Sequence, residues 1–197
     1  MFDITFDVDG VIIDEIRCIC EKHNIPYDNI KHFHITECAD EGLITREQAE
    51  IIKRSFVDEK NYRLAGLQKG ADELEWIAQN STFHINSLSC SDAVRDFKRQ
   101  LFTELIPSAD LNLTLISSNA EKDTYNKEVL KTDIFVEDRA ETLVDKQGTY
   151  ILGYLIDRPW NKFLDTSKYP NIRRVASLQA AIQFIKSDIL RNMKVNV

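Results

Sequence analysis

The chain has 197 residues, 43% hydrophobic and 29% charged, with a net charge of −7. That length carries one sizeable domain, or a core domain with a smaller insertion, and the composition is that of a globular protein. The acidic balance excludes a general duplex-binding protein, which needs clustered Lys and Arg. It leaves room for a small anionic ligand at a site made locally positive by a metal and a few cations.

The elements follow in chain order. "FDITFDV" (2–8) alternates apolar and polar residues and reads as a first strand. About sixty residues without a convincing strand come next. They include "ITREQAEIIKRSFVDE" (44–59), a helix with Thr45 as its N-cap and a nearby Glu in a shifted capping arrangement. Connections within βα chains are normally short, so residues 14–69 are expected to form a helical cap inserted into a core made of 1–13 and 70–197. In the core, "GADELEWIAQN" (70–80) places Leu74, Ile77 and Ala78 on one helical face. A strand at 82–88 leads to a helix at 91–105, capped by Ser91, with Val94, Phe97, Leu101 and Leu105 apolar. Strands follow at 111–117, 133–137 and 149–155, with a short one near 172–176. A last helix over 177–190 packs Leu178, Ile182 and Ile185. Strands alternating with helices predict an α/β fold, a Rossmann-like core with a mainly parallel sheet.

Cys18, Cys20, Cys38 and Cys90 make no CxxC pair and no zinc spacing with His, so free thiols are expected. No signal peptide and no apolar run of membrane-spanning length is visible, and a cytoplasmic protein without membrane contact is expected.

Asp7 and Asp9 sit one residue apart at the carboxyl end of the first strand, followed by Gly10. Open α/β sheets bind ligands at that edge. A plain turn is one reading of the pair. A calcium loop starting at Asp7 fails, because it needs Gly at 12 and an acid at 18, where Ile12 and Cys18 stand. A second acidic pair, Glu137 and Asp138 in "FVEDRAETL", ends another apolar strand. Two such pairs at one sheet edge make a hard-oxygen site suited to Mg²⁺. Ser87, with Ser89 and Asn86 as alternatives, ends the strand at 82–88. Lys127, with Lys122 as an alternative, follows the strand at 111–117. A hydroxyl and an ammonium are what a transferring phosphoryl group requires.

Together "DVDGV" (7–11), Ser87, Lys127 and "ED" (137–138) resemble the four ordered motifs of the haloacid dehalogenase superfamily of phosphohydrolases. More narrowly, "DVDGVIID", "LAGLQKGADELEWI" (64–77), the lysine ten residues before "ED" and "DRPWNK" (157–162) resemble the cytosolic-type 5'(3')-deoxyribonucleotidases. Departures are Glu137, where that family usually has Asp, and "NSLS", where it has Thr-Ser-Pro. The resemblance implies that Asp7 attacks phosphorus to form an aspartyl-phosphate and that Asp9 is the acid and base. It implies Mg²⁺ held by Asp7, the backbone carbonyl of Asp9 and Asp138, with Glu137 as outer ligand or support. Ser87 and Lys127 would hold the phosphoryl oxygens.

The implied activity is a Mg²⁺-dependent phosphomonoesterase for a nucleoside monophosphate. Rival readings are a phosphatase for a sugar phosphate or other small metabolite, and a phosphate-binding regulatory protein without turnover. The partner expected is a small phosphorylated substrate, and a homodimer is compatible with this. Phe33, His34, Phe56 and Tyr62 could stack on a base or pack the cap core. Asp14 faces the site or starts a helix, and Arg158 and Asn161 belong to a loop near the edge or to a turn anchored by Pro159.

Overall fold

The computed structural model describes residues 1–115 and 131–195. Six strands form one sheet in the order β3-β2-β1-β4-β5-β6, every neighbouring pair parallel. They are β1 (Asp3–Phe6), β2 (Thr82–Ser89), β3 (Asp110–Leu115), β4 (Thr132–Glu137), β5 (Tyr150–Ile156) and β6 (Ile172–Val175). Between them run α5 (Leu74–Asn80), α6 (Asp92–Leu105) and α7 (Ala140–Asp145), and α8 (Leu178–Val195) follows β6. The fold class read from the sequence is the observed one.

Alternation along the strands sorts side chains between two faces. Ile134 and Val136 of β4, with Tyr154 and Ile156 of β5, join a main core that includes Ile77, Val94 and Ile182 from the helices. Phe135 and Leu155, one residue out of phase, pack on the other face with Leu143 of α7. Because both faces are covered, these strands are near-continuous apolar runs.

Strand β1 is shorter than expected. Its ladder covers Asp3–Phe6, with Phe6 opposite Ile85 on one side and Val136 on the other, and Asp7 adds one backbone bond to the Val136 carbonyl at 2.9 Å. The chain then turns, because the Val8 carbonyl accepts the N–H groups of Val11, Ile12 and Ile13.

Four helices lie between this turn and α5: α1 (Glu15–Lys22), α2 (Ile35–Asp40), α3 (Arg46–Ser55) and α4 (Glu59–Ala65). They carry an apolar cluster of their own, including Ile19, Ile30, Cys38 and Ile52, which also takes in Trp160 of the core. Thr45 caps α3 as expected, but the capping box closes on Gln48, which returns a side-chain bond to the Thr45 N–H at 2.8 Å. All four cysteines are free thiols. No helix among the described residues is long and apolar enough to cross a membrane.

Candidate active site

The strand order reverses at β1, which has β2 on one side and β4 on the other, and such a switch point opens a crevice at the carboxyl edge. Asp7, Glu137 and Asp138 meet there. All three are buried, and one carboxylate oxygen from each lies within 4.8 Å of the others. Three like charges so placed repel strongly, and the donor set fits a hard divalent cation. Glu137 has a second task. Its Oε1 accepts the backbone N–H groups of Asp138 at 3.0 Å and Arg139 at 3.2 Å, just before α7 begins. That carboxylate therefore also favours the positive end of the helix, as a carboxylate there should.

Gly10 makes the crowding possible. Its φ is +75°, and a Cβ added there would fall inside the Asp138 carboxylate. Asp138 is clamped from behind by a turn at Pro159–Asn161. The Trp160 indole donates to Asp138 Oδ2 at 2.9 Å, and Asn161 Nδ2 donates to the Asp138 carbonyl at 2.7 Å. Arg158 Nε donates to the Gly10 carbonyl at 2.8 Å, fixing the opposite wall. Arg158 and Asn161 thus hold the acidic crevice in place, and the turn anchored by Pro159 is the means. Trp160 was not among the residues singled out from the sequence.

The side chain of Asp9 pairs with Lys98 and Ser87. Lys98 Nζ lies 2.7 Å from both of its oxygens, 3.0 Å from Ser87 Oγ and 3.3 Å from the Leu88 carbonyl. Ser87 Oγ in turn donates to Asp9 Oδ2 at 3.2 Å. Lys98 is fully buried, with its ammonium 4.8 Å from the centre of the Tyr62 ring. Of the three candidate residues at the end of β2, Ser87 is the one whose hydroxyl reaches Asp9.

Lys127 and its alternative Lys122 lie outside the described residues. The lysine that the described residues bring to the crevice is Lys98, which the sequence reading missed. A signal existed: Lys98 interrupts the apolar stripe of α6, between Phe97 and Leu101, on the buried face. A cation on that face needs a buried partner.

Glu15 adds a further buried carboxyl. Burial first, and the nearby charge of Asp9 second, push it well above its ordinary range. The same two causes raise the Tyr62 phenol. Asp14 has a structural task. It caps α1 by accepting the Arg17 N–H at 3.2 Å and accepts the Tyr27 hydroxyl at 3.1 Å.

A cavity of about 210 Å³ lies beside the crevice, walled by Phe33, His34, Arg139, Trp160 and Phe163 among others. The Arg139 guanidinium sits 4.0 Å from the centre of the Phe33 ring. Phe33 and His34, from the stretch before α2, therefore face a space. Tyr62 instead packs under Lys98, and Phe56 packs on the apolar cluster of the insertion.

No family model matches the chain, and no curated protein matches it. Solved structures do. A hydrolase from Pseudomonas syringae shares 14% identity at a TM-score of 0.53, over 95% of this chain and 99% of that one. A candidate phosphatase from Clostridium difficile shares 13% at a TM-score of 0.57, over 92% and 97%. A candidate β-phosphoglucomutase from Bacteroides vulgatus shares 11% at a TM-score of 0.50, over 96% and 88%. The shared feature is the fold: a Rossmann-like α/β core with a mainly parallel sheet and helical insertions after the first strand.

Proposed function

We propose that the protein is a Mg²⁺-dependent phosphomonoesterase whose substrate is a nucleoside monophosphate. One observation carries the reading: the buried trio of Asp7, Glu137 and Asp138 stands beside an Asp9–Ser87–Lys98 group at the same sheet edge. Asp7, Asp138 and Glu137, with the backbone carbonyl of Asp9, would hold the metal, which supplies charge neutralisation for phosphoryl transfer.

The chain's own residues do the rest. Asp7 attacks phosphorus, the bond to the leaving oxygen breaks, and an aspartyl-phosphate forms on Asp7. Asp9 delivers a proton to the leaving oxygen, then takes one from the water that hydrolyses the acyl phosphate. Ser87 and Lys98 supply a hydroxyl and an ammonium to the phosphoryl oxygens, and Lys127 is proposed to join them. Residues 14–69 act as the cap. The flat rings of Phe33 and His34 at the cavity favour a leaving sugar that carries an aromatic base over a bare sugar.

A phosphate-release screen over nucleoside monophosphates and sugar phosphates, with and without Mg²⁺, tests this. Turnover confined to sugar phosphates overturns the nucleotide assignment. Binding of phosphorylated ligands without any turnover makes the chain a phosphate-binding regulator. Asp7→Asn abolishes turnover with the fold retained, and an active variant excludes the covalent route.

A further inference from the structure

Lys98 and Asp9 are chemically mismatched with the roles just given to them. A phosphoryl group needs the ammonium and the Ser87 hydroxyl, yet both are already engaged. Asp9 presents two oxygens to Lys98 at 2.7 Å each, and Ser87 Oγ bridges the pair, accepting from Lys98 at 3.0 Å and donating to Asp9 at 3.2 Å. Lys98 also donates to the Leu88 carbonyl at 3.3 Å and lies 4.8 Å from the centre of the Tyr62 ring. An anion, a buried cation and a bridging hydroxyl together form a built anion slot, and a carboxylate of this chain fills it.

We propose that Asp9 is an internal stand-in for phosphate: in the free protein its carboxylate occupies the phosphoryl slot of Lys98 and Ser87, and an incoming phosphoryl group displaces it. The proposal rests on the phosphomonoesterase reading for its biological sense.

One observation and two physical arguments support the exchange. The Lys98 side chain is 0% exposed and that of Asp9 is 23% exposed, so the slot is closed behind the ammonium and open on the carboxylate side. An incoming anion therefore arrives from the side where Asp9 sits. A buried ammonium cannot be left without an anion at tolerable cost, so Asp9 leaves only as another anion enters. Finally, Ser87 can turn its proton from Asp9 Oδ2 to a phosphoryl oxygen while still accepting from Lys98. Displacement frees Asp9 as a carboxylate, which takes up the proton carried by an incoming phosphomonoester monoanion and hands it to the leaving oxygen, so the acid forms only when a phosphoryl group is bound. A ligand lacking such a group would leave Asp9 locked.

Binding of inorganic phosphate to the full chain, measured by calorimetry with and without Mg²⁺, tests the slot. Asp9→Asn removes the competitor, and phosphate affinity rises about tenfold or more. Lys98→Met removes the cation, and affinity falls by about the same factor or more. Asp9→Asn strands a buried ammonium and can fail to fold, so the unaltered chain gives the second readout. The ¹³Cγ resonance of Asp9, assigned through the backbone, shifts when the protein is saturated with phosphate. An unmoved resonance, or Lys98→Met binding phosphate like the parent, overturns the proposal. Phosphate that displaces Asp9 in a chain without phosphomonoesterase activity would refute the activity and keep the slot. Turnover with an unmoved Asp9 would do the reverse.

Discussion

Replacing Gly10 with alanine puts the crowding of the carboxylates to a quantitative test. The residue holds φ at +75°, in the left-handed region, where a Cβ costs about 1–2 kcal/mol. The added methyl also falls on the Asp138 carboxylate, which cannot simply step aside. Its Oδ2 is held by the Trp160 indole, and its backbone carbonyl by Asn161. Forcing the side chain off its rotamer costs about 0.5–1.5 kcal/mol more. Gly10→Ala is therefore expected to lose about 1.5–3.5 kcal/mol of stability, by the sum of these two costs. It should also lose Mg²⁺ affinity, because the displaced carboxylate belongs to the trio. Urea unfolding with and without Mg²⁺ separates the two losses. A native-state ligand at a hundredfold its Kd adds about 2.7 kcal/mol, so the parent midpoint rises with Mg²⁺. The variant unfolds earlier without metal, and at the same Mg²⁺ concentration gains less. A variant within about 0.5 kcal/mol of the parent, the spread of unremarkable surface changes, with the same Mg²⁺ response, refutes the reasoning.

Trp160→Phe removes the donor to Asp138 Oδ2 and is expected to weaken Mg²⁺ binding by about 10- to 100-fold, read by calorimetry; unchanged affinity would mean the indole does not orient the acid. In the Lys98–Asp9 pair the two deletions should differ. Asp9→Asn strands a fully buried ammonium and costs about 3–5 kcal/mol, whereas Lys98→Met leaves a carboxylate that reaches water and costs less. Unfolding of both single variants and the double variant gives the coupling, and additive losses would deny it. Glu15→Gln acts through pH. The folded carboxyl titrates well above its ordinary value of 4.5, so the folded chain keeps a proton that the unfolded chain releases. That contribution is full below 4.5 and is lost as pH rises through the folded value. The stability of Glu15→Gln relative to the parent therefore climbs with pH from 4.5 upward, and a flat difference between pH 4.5 and 7 would place Glu15 in water.

Local patterns carried the fold a long way. Alternation and capping residues located the strands and α6, and Ser91 caps that helix by accepting the Val94 N–H. The doublets 7/9 and 137/138 marked the sheet edge because acids rarely end apolar strands without a partner. What escaped were contacts between distant segments. Lys98 meets Asp9 across 89 positions of sequence, and Trp160 meets Asp138 across 22. Periodicity says that α6 has a buried face, but not that the lysine on that face lies beneath the end of β1. The shortness of β1 was equally hidden. Its alternation runs past Phe6, but the ladder stops where Val8 gives its carbonyl to the turn. In α3 the capping box was legible in kind, yet its closing residue was Gln48 because the helix begins at Arg46.

Trp160 belongs to two bodies at once. Its ring packs in the apolar cluster of the insertion, edge-on to Tyr27 at 6.1 Å, while its N–H points at Asp138. A displacement of the insertion that moves the indole would also move a carboxylate of the trio, and by reciprocity an ion held by Asp138 would steady the packing around Trp160. The chain has two tryptophans, and the other, Trp76, lies on α5 beside Lys186. Emission from Trp160 in a Trp76→Phe background thus becomes a native optical gauge of the apolar cluster around the indole and of the ion at Asp138.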